Sequence, residues 1–212
     1  PGVRSAFADL LSEAVTDAEN PAAGRRAEDR AAVEQLGASW LHWEYPDCIF
    51  RLDAHTGEAL YPSREAIFGD VHPGERTGLV AELARRLQAF CDAERPAAVY
   101  APLTVGHHVD HQLVHWAARR LVLGSAPLRF YEDYPYVARP GFLEAALRAV
   151  GGVWQAELEP LTPAALAAKV SALAHYRSQL DVLFGGPDAM PGRVSAYCHS
   201  LSPDRPVERY WQ

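Results

Sequence analysis

Between Gly106 and Gln112 the chain reads Gly-His-His-Val-Asp-His-Gln, which places three histidines and an aspartate within five consecutive positions. A neutral imidazole is the commonest side-chain ligand for zinc and titrates near neutral pH, so either His108 or His111 could hold a metal while the other moves a proton. Asp110, between them, is suited to orient one ring and raise its basicity. The plainer alternative is a loop of solvated histidines with a capping aspartate, and the density of donors at one strand end weighs against it. His111 and His115 also stand at i and i+4, a spacing that chelates zinc on a helix. The residues between them, Gln112, Leu113 and Val114, supply no glutamate to act as a hydrolytic base, so His115 is read as packing.

A short apolar run, Ala97 to Ala101, precedes this cluster, and Leu113, Val114, Ala117, Ala118 and Leu121 follow it at the spacing of one buried helical face. The pattern is strand, loop, helix, and open α/β sheets bind ligands at the carboxyl ends of their strands. Asp110 is the expected N-cap of that helix, beside the free N–H groups of its first turn. Leu128 to Tyr131 reads as the next strand, and Glu132-Asp133 close it at the same sheet edge. Upstream, Arg25 to Leu36 reads as a helix that Gly37 terminates. Arg25 falls in its first turn, an unfavourable place for a cation unless it meets a substrate or a carboxylate.

The other elements follow from pattern and punctuation. Ser39 to Trp43 reads as a strand stopped by Pro46-Asp47, and residues 50–76 as a hairpin plus loop with His55 and His72 at the surface. Gly78 to Ala93 is a helix with Leu79, Leu83, Leu87 and Phe90 on one face. Phe142 to Val150 is a helix and Val153 to Leu158 a strand, and a long helix runs from Thr162-Pro163 to about Leu180. Val194 to His199 is helical and Val207 to Trp211 a closing strand, while residues 1–23 read as a weak helix leading into a mobile connection. Uninterrupted alternation without repeats predicts a single three-layer α/β domain over residues 1–212.

Gly106-His107-His108-Val109-Asp110-His111 resembles the G-x-H-x-D-H element of the LmbE-like, or PIG-L-type, de-N-acetylases, zinc enzymes that remove acetyl groups from N-acetylated sugars. Other segments agree in order. Arg25-x-x-Glu28 with Ala32 and Leu36-Gly37 is similar to that family's R-x-x-E helix, and Pro46-Asp47 to its strand ending in Pro-Asp. Tyr131-Glu132-Asp133-Tyr134-Pro135-Tyr136 is similar to its Y-E-D-x-P-Y segment. Lys169 with Tyr176-Arg177-Ser178-Gln179, and Glu208-Arg209-Tyr210-Trp211, resemble its late helix and closing strand.

The resemblance implies a Rossmann-like fold with a mostly parallel sheet, and a metal-dependent hydrolase that takes an N-acetyl or N-acyl group from an amino-sugar conjugate, a small-molecule substrate. It implies His111 as a ligand to zinc, with iron(II) acceptable to the same donors. It implies His108 as the residue that stabilises the oxyanion and protonates the leaving amine, Asp110 as the carboxylate that orients His108, and Arg25 as a substrate contact. The family's H-P-D-D-E signature, which carries two further metal ligands and the general base, does not occur; His72-Pro73-Gly74-Glu75 is the only His-Pro pair. It is expected in a preceding segment of roughly 40 to 60 residues, the length of a strand, helix and strand. The alternative function is a non-catalytic relative that binds a sugar or a partner without the first metal motif.

Composition is that of an ordinary globular domain, with 49% hydrophobic and 22% charged residues. A formal net charge of -7 argues against nucleic acid or an anionic membrane surface as partner. There is no apolar run of about 18 residues to span a membrane. Cys48, Cys91 and Cys198, odd in number and widely spaced, fit reduced thiols in a cytoplasmic protein. A nucleotide-binding module is disfavoured by the lack of any glycine-rich phosphate loop.

Overall fold

The structure, a computed structural model, describes residues 21–212, so the expected features of residues 1–20 lie outside the described residues. In chain order the elements are α1 (Pro21–Gln35), α2 (Arg64–Ile67), α3 (Pro73–Glu94), β1 (Val99–Pro102), α4 (Val109–Ala118), β2 (Leu128–Tyr131), α5 (Phe142–Val150), β3 (Ala156–Pro160), α6 (Pro163–Leu173), α7 (Arg177–Phe184), α8 (Met190–Ser200) and β4 (Val207–Trp211). The strands lie in the order β1-β2-β4-β3. β1 and β2 pair in parallel, Val99 to Leu128 through Pro102 to Tyr131, and β4 joins β2 antiparallel. The class is mixed α/β, with the parallel pair at the edge that leads into the histidine loop. The described residues fall into two compact units, one of residues 21–50 with Leu158–Glu208, the other of Arg51–Glu157 with Arg209–Gln212.

In the first unit α1 begins at Pro21, so Arg25 lies in its second turn and not, as the sequence reading had it, in the first. It ends in a Schellman motif: Ala38 N–H donates to Val33 O at 3.2 Å and Gly37, at φ +70°, to Glu34 O at 2.9 Å. Ser39 to Trp43 is not a strand, because it has no ladder partner among the described residues; Trp40 is 41% and Leu41 60% exposed. The helix expected to run from Thr162 to Leu180 is two, α6 and α7. Its interruption is tertiary: Tyr176 donates its hydroxyl to Asp29 (2.6 Å), and Ser178 donates both N–H and O–H to Glu28 (2.8 and 2.6 Å). Three hydrogen bonds to two carboxylates of α1 are thereby made at the cost of one helical turn, a favourable exchange at part-buried positions.

In the second unit the expected hairpin survives as one antiparallel bridge, Leu52 to Ala59, and is followed by the short helix α2. α3 starts at Pro73, earlier than Gly78, because His72 caps it: its ring accepts Gly74 N–H at 3.3 Å, with Pro73 at the first helical position. Its buried face is Val80, Ala84 and Cys91, and Phe90 is exposed. β3 begins at Ala156 and not at Val153, which is fully in solvent. Around β1, β2 and α4 the core is Leu103, Val105, Val109, Leu113, Ala117 and Phe130, all under 5% exposed. Each large member contributes roughly 1.5–3 kcal/mol by burial, enough to hold the intervening loop against strain. Val114 is half-exposed and Leu121 lies beyond the end of α4, so the buried face is narrower than its sequence pattern. No helix among the described residues is long and apolar enough to cross a membrane.

Candidate active site

Beyond β1 the chain turns sharply into α4. Leu103 N–H extends the parallel pairing to Tyr131 O (2.9 Å), and then Thr104, Gly106 and His107 all take positive φ, +73°, +93° and +63°. Two of these are not glycine, and each left-handed non-glycine residue costs about 1–3 kcal/mol, the kind of strain that collects at functional loops. Gly106 is required sterically as well as conformationally: a Cβ there would stand 2.7 Å from Cγ of the Tyr136 ring. Gln112, buried in α4, braces the turn by donating from its amide to His107 O at 2.7 Å and Gly69 O at 2.8 Å. His107 is thus a structural corner of the loop.

His108 is the N-cap of α4, which corrects the expectation that Asp110 would be. It has extended backbone (φ -65°, ψ 132°), and its Nδ1 accepts the Asp110 backbone N–H at 3.2 Å. An accepting Nδ1 places the proton of the neutral ring on Nε2. The ring meets the edge of Phe68 at 5.4 Å and lies 5.2 Å from that of His111.

Asp110, one position into the helix, directs its carboxylate to a residue the sequence did not mark. Arg51 NH1 lies 2.6 Å from Asp110 Oδ1, and Arg51 Nε lies 2.7 Å from Glu75 Oε1. Tyr61 completes the network, donating its hydroxyl to Glu75 (2.7 Å) and accepting His72 N–H (2.9 Å). Burial, and then the Glu75 carboxylate, push the Tyr61 phenol up to about 12, so it stays a hydrogen-bond donor at any working pH. Arg51 and Glu75 are each 9% exposed, so the guanidinium is a buried strut between α3 and the start of α4.

His111 is fixed from the other side. Its Nδ1 is 2.5 Å from Oδ1 of Asp133, whose side chain is 1% exposed and whose Oδ2 accepts Val105 N–H at 2.8 Å. An ionised carboxylate only accepts, so the ring proton sits on Nδ1 and Nε2 carries the lone pair. Asp133 was placed correctly at the sheet edge by its position after β2, but nothing in its sequence context singled it out as the partner of His111. Glu132 beside it is taken by Arg209 Nε (2.5 Å) and Trp211 Nε1 (2.9 Å) and anchors β4.

His115 packs, as its context indicated. It is fully buried, its Nδ1 meets Pro102 O at 2.8 Å, and its ring lies 4.5 Å from Phe130. Burial holds its pKa below the ordinary histidine value. In the other unit Arg25 meets a carboxylate: NH1 lies 2.8 Å from Asp47 Oδ2, so the Pro46-Asp47 corner and α1 are tied together.

No protein-family model matches the chain. Over 165 residues it is 28% identical to the 2'-N-acetylparomamine deacetylase of Niallia circulans, covering 77% of this chain and 56% of that protein. Over 56 residues it is 48% identical to the 2'-N-acetylparomamine deacetylase of Streptomyces fradiae, covering 24% and 20%. The chain therefore spans little more than half the length of the first curated relative and a fifth of the second. Among solved structures, the zinc-inhibited form of a teicoplanin deacetylase superposes with a TM-score of 0.80 at 23% identity, over 99% of this chain and 83% of that one. The fold is that of the LmbE-like deacetylases.

Proposed function

We propose that this protein is a metal-dependent N-deacetylase acting on an amino-sugar conjugate, and that the site is built on the loop between β1 and α4. The observation that carries this reading is the His111–Asp133 pair. A histidine that donates one ring N–H to a buried carboxylate presents the other nitrogen as a fixed, electron-rich donor, which is how metal-binding histidines are commonly held. This donor chemistry fits zinc or iron(II). When bound, such a metal would supply Lewis acidity toward the amide carbonyl and lower the pKa of water.

The remaining roles belong to the chain's own side chains. His108, which in its neutral form carries its proton on Nε2, is a hydrogen-bond donor toward the oxygen on which charge develops and passes a proton to the leaving amine as the adding water supplies another to the ring; water is consumed, and acetate and the free amine result. Asp110 holds the His108 ring through its backbone N–H and is itself held by Arg51. Arg25, set by Asp47, is assigned to a substrate hydroxyl. The substrate class rests on the relatives, which act on acetylparomamine and teicoplanin by name.

The test is acetate release by the purified protein from a panel of N-acetylated amino sugars, with the corresponding O-acetyl sugars as controls. Release from the N-acetyl compounds alone supports the proposal. Absence of release from every N-acetyl compound, in protein carrying stoichiometric metal, refutes it and favours the binding-only alternative.

A further inference from the structure

Next to the histidine loop, within the second unit, lies a cavity of about 580 Å³, in the range of ligand pockets. Gly106 and His107 form one wall, and Phe68, Tyr136, Phe142 and Ala146 give it an apolar floor. Phe68 is also the ring against which His108 packs, so the cavity shares a wall with the proposed catalytic residue. The alanines of α5 that face it, Ala145, Ala146 and Ala149, leave its volume unfilled.

Its charge is specific. Two arginines line it, Arg64 and Arg139, each with its guanidinium over an aromatic ring of the same cavity: Arg64 5.9 Å from the centre of Phe68, Arg139 5.5 Å from that of Phe142. Neither has a carboxylate within ion-pair distance among the described residues, whereas Arg25, Arg51, Arg129 and Arg209 all do. Burial pushes the Tyr136 phenol up, and both guanidiniums act against that rise, so both lie within electrostatic reach of it. Glu65 is the one carboxylate in the lining, so the cavity is net cationic in a chain whose total charge is -7. Cations stacked on aromatic faces keep their N–H edges available for an anion.

We infer that this cavity binds the aglycone of the substrate, and that the aglycone is an apolar group bearing an acid function, with Arg64 and Arg139 as specificity-determining residues. The inference rests on the deacetylase reading for the identity of the ligand as a substrate part, and on the cavity alone for its chemistry. A polycationic aminoglycoside core is a poor occupant by the same reasoning, since it would bring positive charge against two guanidiniums that have no carboxylate within ion-pair distance among the described residues.

Binding is measured first without any sugar, by calorimetry with 4-butylbenzoate, its neutral analogue 4-butylbenzyl alcohol and its cationic analogue 4-butylbenzylamine. The benzoate is expected to bind about tenfold more tightly than the alcohol, two partly exposed ion pairs each contributing about threefold. In the double variant R64Q/R139Q that advantage falls to within about twofold, and Ala149→Trp, at an exposed position that tolerates size, weakens both ligands by about fivefold or more through lost cavity volume. Acetate release is then compared for 4-carboxyphenyl and phenyl N-acetylglucosaminides, where the carboxyl compound is expected to have the higher kcat/KM and to lose its lead in the double variant. Equal affinities for benzoate and amine, or a benzoate affinity indifferent to R64Q/R139Q, overturn the inference. If no glycoside releases acetate while the benzoate preference and its arginine dependence hold, the deacetylase proposal fails and the cavity assignment stands. If the glycosides are deacetylated without carboxyl preference, the deacetylase proposal stands and the cavity assignment fails.

Discussion

Asp133→Asn is the substitution whose consequence can be worked furthest. The carboxylate accepts from two donors, Val105 N–H at 2.8 Å and His111 Nδ1–H at 2.5 Å, and asparagine offers one accepting oxygen and one donating nitrogen in the same shape. If the amide oxygen keeps Val105, the NH2 faces the imidazole and Nδ1 must become an acceptor. The ring proton then moves to Nε2, the atom proposed to hold the metal. If the amide is turned the other way, the buried Val105 N–H faces another donor, at a cost of about 1–3 kcal/mol. Either way His111 loses the buried negative charge that enriches its free nitrogen. Metal affinity should fall by about 10- to 100-fold, the usual effect of removing such a partner. Stability should fall by about 1–2 kcal/mol, since a charge-assisted bond is replaced by a weaker one, which for a chain of 212 residues lowers Tm by about 2–8 °C. Competition with a coloured chelator gives the first quantity and a urea melt the second. Wild-type metal affinity in a folded Asp133→Asn protein would refute the argument that Asp133 sets the His111 tautomer.

Three further expectations follow from the same geometry. His108→Ala should lower the hydrolysis rate by about 10²-fold or more with metal content nearly intact; loss of the metal from this variant, by elemental analysis, would exchange the roles of His108 and His111. Asp110→Asn should cost about 1–2 kcal/mol in a urea melt, because it strips one of two carboxylates from the buried Arg51, and activity should drop with it; an unchanged melt would show that the strut carries no load. His115 has a folded pKa below its unfolded value near 6.5, so the unfolded chain takes up the proton first as pH falls. Its stabilising contribution is complete above about pH 6.5 and is lost below it, with a slope of at most about 1.4 kcal/mol per pH unit. Melts between pH 7.5 and 5.5 should therefore be steeper in pH for the wild type than for His115→Phe, and equal slopes would mean that His115 takes up its proton as readily in the folded protein as in the unfolded chain.

Elements with local fences were legible in the sequence. α5 has the bounds read for it because glycines with positive φ, Gly141 and Gly151, close both ends, and β2 and β4 also have the bounds read for them. Where a tertiary bond overrides local preference the reading failed. The Tyr176 and Ser178 bonds to α1 split a helix whose residues favour continuity, and Ser39 to Trp43 has strand composition but joins no strand ladder among the described residues. In the site, the clustered histidines and Asp110 announced themselves by density. The Arg51–Glu75–Tyr61 network and the His111–Asp133 pair did not, since contacts between residues so far apart in the chain leave no periodic trace. His108 as N-cap was masked by the stronger capping preference of Asp110.

The central claim is that a metal held through His111 is necessary for amide hydrolysis, and it is tested most directly by acetate release from an N-acetylated amino sugar before chelation, after chelation, and after stepwise return of zinc or iron(II) to wild-type and His111→Ala proteins. The expected result is loss of activity on chelation, recovery in the wild type as metal binding approaches one equivalent, and neither binding at that level nor recovery in His111→Ala. Acetate release that survives chelation, or a His111→Ala protein that binds metal and hydrolyses the amide like the wild type, would contradict it.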